Sequence, residues 1–341
     1  MQRFTDDIWN RSLNCNVVLA LIITFMTINA HALEIVNPRF TQLDASGNRW
    51  QPSAANATWS CVLDHRTGLT WEIKTQTPGL RAAHHTYAAY ALPAPPSVAR
   101  CATDSCDVPS YIAAVNAMQL CGARDWRLPT REELRSLADY TQLYPEPTIN
   151  TDLFPDTVAN FYWSATPDAS DARNTWGLGF AYGFDYAYPK ENAAYVRLVH
   201  GTAAAPETRF AIHDTHTVRD QDTGLLWQRC SVGQHWDGTR CADAAQSMTW
   251  PQAHAYAQQQ FPWRLPTLVQ LTATVDLTRH SPAINSLLFP NTALRSYWTA
   301  TPLAGNALLQ WCVNFMYGDS YVDDVTASGY VRLVRDPPPG Q

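Results

Sequence analysis

The sequence predicts an α+β protein made of two tandem copies of one small domain, each copy holding two helices and a small antiparallel sheet. Three observations predict it: an internal repeat whose landmarks keep their order, capped helix starts in both copies, and short aromatic and β-branched runs closing each copy.

Each copy opens on Arg-Phe, Arg39-Phe40 and Arg209-Phe210. The pattern D-x-x-T-G-L-x-W follows, as Asp64, Thr67, Gly68, Leu69 and Trp71 and again as Asp220, Thr223, Gly224, Leu225 and Trp227. Glycine permits a turn there, and the alternating Leu and Trp face one core, so the pattern reads as a turn and an early strand. A first helix is expected over Tyr111 to Leu120 and over Trp250 to Gln260; Thr249, Pro251 and Gln252 supply a cap, an early helical proline and a capping-box partner. Trp126-Arg127-Leu128-Pro129-Thr130 returns as Trp263-Arg264-Leu265-Pro266-Thr267. Both threonines start a second helix through a capping box, with Glu133 and with Gln270. The last third recurs at a constant offset: Tyr162-Trp163, Ala165-Thr166-Pro167, Trp176, Phe180, Gly183 and Tyr195-Val196-Arg197-Leu198-Val199 match Tyr297-Trp298, Ala300-Thr301-Pro302, Trp311, Phe315, Gly318 and Tyr330-Val331-Arg332-Leu333-Val334. These runs are expected to be strands.

The expected organisation is a signal peptide over 1–32, a first domain over 33–200, a linker over 201–207 rich in small residues and proline, a second domain over 208–336 and a tail over 337–341. Arg3 and Arg11 precede an apolar run from Val17 to Ile28 and a small-x-small site at Ala30-His31-Ala32. Cys15 precedes that run, unlike the acylated cysteine of a lipoprotein, and no later stretch reaches the roughly 20 apolar residues of a membrane span. An exported protein in the periplasm, at the cell surface or outside the cell is therefore expected. The formal net charge of −6 argues against nucleic acid as a partner.

Export makes disulfides the default for Cys61, Cys101, Cys106, Cys121, Cys230, Cys241 and Cys312. Cys230 and Cys241 bracket a short glycine-containing loop and are expected to pair. A helix of about ten residues between Cys106 and Cys121 would hold them about 15 Å apart, beyond bridging distance. Cys101 with Cys106 and Cys61 with Cys121 fit better, leaving Cys312 as a small buried hydrophobe in a strand.

No phosphate-loop, H-E-x-x-H, G-x-S-x-G or C-x-x-C spacing occurs, so no catalytic residue, cofactor or metal is assigned. On a strand, His213 and His216 point to opposite faces, as do adjacent His84 and His85. Trp126, Arg127, Trp263 and Arg264 are read as structural, the guanidiniums stacked or salt-bridged, and Arg197 and Arg332 as strand arginines covering the sheet. The segments between Phe180 and Tyr195 and between Phe315 and Tyr330 have matching flanks and unlike contents. Tyr182, Asp185, Tyr186, Tyr188 and Lys190 stand in one; Tyr317, Asp319, Ser320, Tyr321, Asp323 and Asp324 stand in the other. Variable Tyr- and Asp-bearing loops on a repeated frame suit ligand recognition, with an ordinary exposed hairpin as the alternative. Asp319, Asp323 and Asp324 have the chemistry for calcium, although solvation also accounts for them.

Taken together, D-x-x-T-G-L-x-W, W-R-L-P-T, Y-W-S/T-A-T, W-x-x-x-F-x-x-G and Y-V-R-L-V resemble the Lcl C-terminal domain family, twice over. The resemblance implies two C-type-lectin-like domains related to the formylglycine-generating-enzyme fold, in a bacterial exported or surface protein. The collagen-like adhesin that names the family binds sulfated polysaccharide. The present chain departs from it in having no Gly-x-y region and a net negative charge. The resemblance thus implies a non-catalytic binding or adhesion protein whose partner is a polysaccharide or a surface protein; the alternatives are an oxidative enzyme of the formylglycine-generating type, built on Cys312, and a structural envelope component. It further echoes diversified lectin-like proteins with variable residues near the C-terminus. The E-P-N and W-N-D signatures of calcium-dependent lectins are absent, Glu146-Pro147-Thr148 being the nearest approach.

Overall fold

Hydrogen bonding of the D-x-x-T-G-L-x-W turns sets the first sheet of each copy. In this computed structural model, which describes residues 39–52, 58–91, 99–143, 145–202 and 209–337, Gly68 and Gly224 turn the chain at φ +72° and +76°. Their amides donate to Asp64 O and Asp220 O, each at 2.8 Å. In the first copy the turn joins β2 (Cys61–Asp64) to β3 (Leu69–Glu72), flanked by β1 (Phe40–Leu43) and β7 (Val199–His200) in the order β1-β2-β3-β7. The second copy repeats this with β8 (Phe210–Ile212), β9 (Thr217–Asp220), β10 (Leu226–Gln228) and β16 (Val334–Arg335). Arg39 and Arg209 grip the same aspartates, Arg39 Nη2 to Asp64 Oδ2 at 2.7 Å and Arg209 Nη2 to Asp220 Oδ2 at 2.8 Å, which explains why Arg-Phe opens both copies.

Helices are short. α1 (Val108–Ala117) begins three residues before the expected start because the Asp107 side chain accepts from Ser110 N at 2.7 Å, a cap the helix reading overlooked. α3 (Trp250–Gln259) starts where Gln252 Oε1 accepts from Thr249 N at 2.9 Å. α2 (Arg131–Arg135) and α4 (Leu268–Thr272) carry the capping boxes of Thr130 with Glu133 and Thr267 with Gln270, but span only five residues each. At that length they are turns held by tertiary packing.

The remaining strands are β4 (Phe161–Pro167), β5 (Asn174–Gly179) and β6 (Phe184–Pro189) in the first copy, and β11 (His235–Trp236), β12 (Cys241–Ala242), β13 (Ser296–Leu303), β14 (Asn306–Asn314) and β15 (Ser320–Asp324) in the second. β11 and β12 form a small hairpin; the other six make one antiparallel sheet in the order β13-β14-β15-β6-β5-β4. This corrects the expected α+β, C-type-lectin-like architecture of two helices and one small sheet per copy. The chain is β-rich, with four sheets among the described residues, and its largest sheet crosses from one copy to the other. Edge strands β6 and β15 explain the outcome: each presents unpaired backbone groups, and the two meet through one residue pair, Asp185 with Ser320. Asn37–Gln341 is accordingly one compact unit. The signal segment 1–32 lies outside the described residues, as do the linker from residue 203 and the tail from residue 338.

Many repeated landmarks have structural duties on this frame. Thr166 and Thr301 of Ala-Thr-Pro cap α2 and α4, accepting from Arg131 N and Leu268 N, each at 2.9 Å. Ser164 Oγ and Thr299 Oγ1 donate to Trp176 O and Trp311 O across the register shifts of β4 and β13. Core clusters lie about Trp71 and Trp163 in the first copy and about Trp227 and Trp298 in the second.

Candidate functional site

The arginines of the repeated motifs are internal. Arg127 forks onto Glu133, with both Nη–Oε distances at 2.7 Å, whereas Arg264 reaches Gln270 Oε1 at 2.9 Å and Asp336 at 3.2 Å. Trp126 is buried, and its indole donates to Leu120 O; Trp263 packs beneath the Arg335 guanidinium at 4.9 Å. Arg197 and Arg332 do not cover the sheet as expected: both are 0% exposed. Burial of a guanidinium requires partners. Arg197 donates to Glu72 O and Thr157 Oγ1, each at 2.7 Å, and Arg332 to Gln228 O at 2.9 Å, Arg229 O and Thr292 Oγ1 at 2.8 Å, with Phe154 and Phe289 under the respective guanidiniums.

All three expected bridges form, Cys61–Cys121, Cys101–Cys106 and Cys230–Cys241, while Cys312 is free and buried. Such bridges belong to an oxidising compartment. Position 312 has a packing explanation. Its counterpart is Gly177, where a Cβ would lie 2.3 Å from both the Phe161 ring and Tyr162 O. Ser296 replaces Phe161 in the second copy, so the Cys312 side chain fits there, its thiol pushed up by burial.

Rather than separate loops, the two unlike segments are hairpins whose outer strands meet. Ser320, the counterpart of Asp185, pairs with it across the seam, its amide donating to Asp185 Oδ1 at 2.8 Å and its hydroxyl to the same oxygen. Asp185 is therefore buried, at 3.1 Å from Arg131 Nη1 and 3.7 Å from Arg135 Nε. Arg131 also donates to Gly318 O at 2.6 Å, and Arg135 to Thr272 Oγ1, both in the second copy. Strand alternation puts Tyr186, Tyr188, Tyr321 and Asp323 on the opposite face. Tyr186 packs 4.5 Å from the Phe161 ring yet is 41% exposed; Tyr321 bonds the Ser296 hydroxyl. Asp324 is exposed and bonds Thr326, while Asp319, before β15, has its carboxyl pushed up to about 6 by burial. Tyr182 and Tyr317 sit at the hairpin turns, 42% and 45% exposed.

Those turns need their glycines. Gly183 has φ +84°, and a Cβ there would meet Tyr140 Cε1 at 2.7 Å. Beside it lies a cleft of about 70 Å³ between the copies, walled by Tyr140, Gln142, Thr148 and Tyr182 of the first and Leu303, Ala304 and Trp311 of the second. Tyr140 and Phe184 each contact the Trp311 ring at 5.1 Å, and Tyr182 stacks on Phe184 at 5.6 Å. Tyr140 also lines a wider hollow of about 460 Å³ with Phe40, Asp139 and Asn150. Trp311 stands out in the sequence only as the repeat of Trp176, and Tyr140 not at all; the available signal is that Arg131, Arg135 and Tyr140 align with Leu268, Thr272 and Leu277, unlike residues outside the variable segments. Among the described residues no three His, Cys, Asp or Glu side chains converge as a metal site, so Asp319, Asp323 and Asp324 are not gathered about one point.

The Lcl C-terminal domain profile matches residues 60–200 and 216–335. The chain belongs to the Lcl C-terminal domain family. Its two Lcl domains are tandem copies, and β1 and β8 lie ahead of the matched ranges while pairing with the first strands inside them, β2 and β9. No curated protein matches the chain. Within the Lcl domains, the shared motifs hold the frame and the unlike hairpins meet at Asp185 and Ser320. No helix among the described residues is long and apolar enough to cross a membrane.

Proposed function

We propose that this chain is an exported, non-catalytic binding or adhesion protein of the bacterial envelope, recognising a saccharide or a surface protein through the seam between its Lcl domains. One observation carries the reading. The segments that differ between the copies, each bearing exposed tyrosines, stand side by side because β6 pairs with β15. Tyrosine offers rigid, amphipathic contact area, the chemistry of a recognition surface. Membership of the Lcl C-terminal domain family and three disulfides support an address outside the cytoplasm.

An oxidative enzyme has little to work with here: Cys312 is buried with its thiol pushed up, and the other described cysteines are bridged. Binding of the intact protein to an array of glycans and envelope proteins tests the proposal. Binding that Tyr186→Ala or Tyr321→Ala weakens at unchanged melting temperature is the expected result; no binding to any array member, or binding indifferent to every seam substitution, counts against it.

A further inference from the structure

The pseudo-dyad relating the two Lcl domains is broken at one place. Trp176 is capped by the Arg131 guanidinium at 4.9 Å, but its counterpart Trp311 faces Leu268 in place of an arginine and is met by Tyr140 and Phe184 instead. The inter-copy cleft lies beside this buried tryptophan and its two aromatic neighbours. None of its lining residues is charged. The nearby buried charges, Asp185 with Arg131 and Arg135, already have partners, Arg131 reaching Glu132 as well. An ionic ligand would therefore lose its hydration without gaining a counter-charge, whereas a neutral ligand meets aromatic rings and a few hydroxyl and amide groups, the usual makeup of a small-molecule site.

Resting on the binding reading above, we infer that the cleft between Tyr140, Tyr182 and Trp311 is a subsite for one neutral sugar unit of a polysaccharide. One face of a pyranose is apolar and stacks on aromatic rings, and its rim carries hydroxyls. Tyr182, 42% exposed and stacked on Phe184, supplies the platform. Gln142 and Tyr182, both lining the cleft, offer amide and hydroxyl groups to the rim. The volume of about 70 Å³ suits an edge of a single ring, given about 10–15 Å³ of such space per water. Neighbouring units of the polymer have the hollow beyond Tyr140 to occupy.

The test uses the full chain and immobilised neutral hexasaccharides of glucose, mannose and galactose, with dextran sulfate and chitosan hexamer as charged comparators. The expected result is binding to a neutral oligomer that falls at least tenfold in Tyr182→Ala and in Ala304→Trp, which fills the cleft from the other copy. Tyr317→Ala, at the pseudo-equivalent turn, leaves it unchanged. Two cleft variants guard against misfolding of either, checked by circular dichroism. Binding lost in Tyr317→Ala or Tyr321→Ala but kept in both cleft variants overturns the subsite while leaving a binding protein standing. Binding to the charged polymers alone overturns the neutral class, and failure to bind any of the probes overturns the inference altogether.

Discussion

Asp185 and Ser320 occupy the same position in the two Lcl domains and bond to each other, the Ser320 amide reaching Asp185 Oδ1 at 2.8 Å. A pair of first copies would oppose Asp185 to itself. The seam thus favours the unlike pairing, and Arg131 and Arg135 balance the single buried carboxylate.

Removing that carboxylate strands Arg135 and leaves Arg131 with the exposed Glu132 alone. Asp185→Ala is expected to lower stability by about 3–5 kcal/mol, the usual result of breaking a buried pair. Adding Arg131→Leu and Arg135→Thr, which copies Leu268 and Thr272, should recover most of the loss, because apolar replacement of a whole buried pair is often neutral. Urea denaturation of the parent and the two variants checks both steps.

Gly177 and Phe161 share one space. Gly177→Cys is expected to cost about 1–3 kcal/mol by overpacking against the Phe161 ring, 2.3 Å from an added Cβ. In the Phe161→Ser background, which reproduces Ser296 opposite Cys312, the ring contact is relieved while the approach to Tyr162 O stays, so the same substitution should cost less, giving a double-mutant coupling above about 0.5 kcal/mol.

Asp319 sets a pH trend. Burial raises its carboxyl from 3.8 to about 6, so the folded state holds its proton more tightly than the unfolded chain does. The corresponding stability is present below pH 3.8 and lost as pH rises through 6. Asp319→Asn should therefore gain stability relative to the parent between pH 4 and pH 7.5, read as the difference in urea midpoint at the two values. A difference that stays flat across that window would contradict the placement of Asp319.

Loop length ranks the disulfides. The Cys61–Cys121 bridge spans 60 residues and Cys230–Cys241 spans 11, for which loop entropy suggests about 4 and about 3 kcal/mol. Paired alanine substitution of the longer bridge should depress the melting temperature more than that of the shorter.

Local chemistry was readable from the sequence and distant pairing was not. The Asp64 and Asp220 turns, the capping boxes at Thr130 and Thr267 and the three bridges each rest on residues close together or on simple reach. Arg197 and Arg332 misled because strand alternation says which side a residue takes and not what else covers that side; Phe154 and Phe289 come from elsewhere in each domain. The six-stranded sheet was hidden for a similar reason. Its central junction is a single residue pair between segments whose patterns suit exposed hairpins equally well. For the candidate site, Tyr182 was legible as part of a variable tyrosine-rich segment, but Tyr140 and Trp311 reach the cleft only through the packing of one copy against the other.

Titration calorimetry of the intact protein with the best-bound oligosaccharide tests the shared seam most directly. One ligand per chain, with binding lost on substitution from either copy, is predicted. Two equivalent ligands per chain, each insensitive to substitutions in the other copy, would show that every Lcl domain carries its own site and would contradict a site built between them.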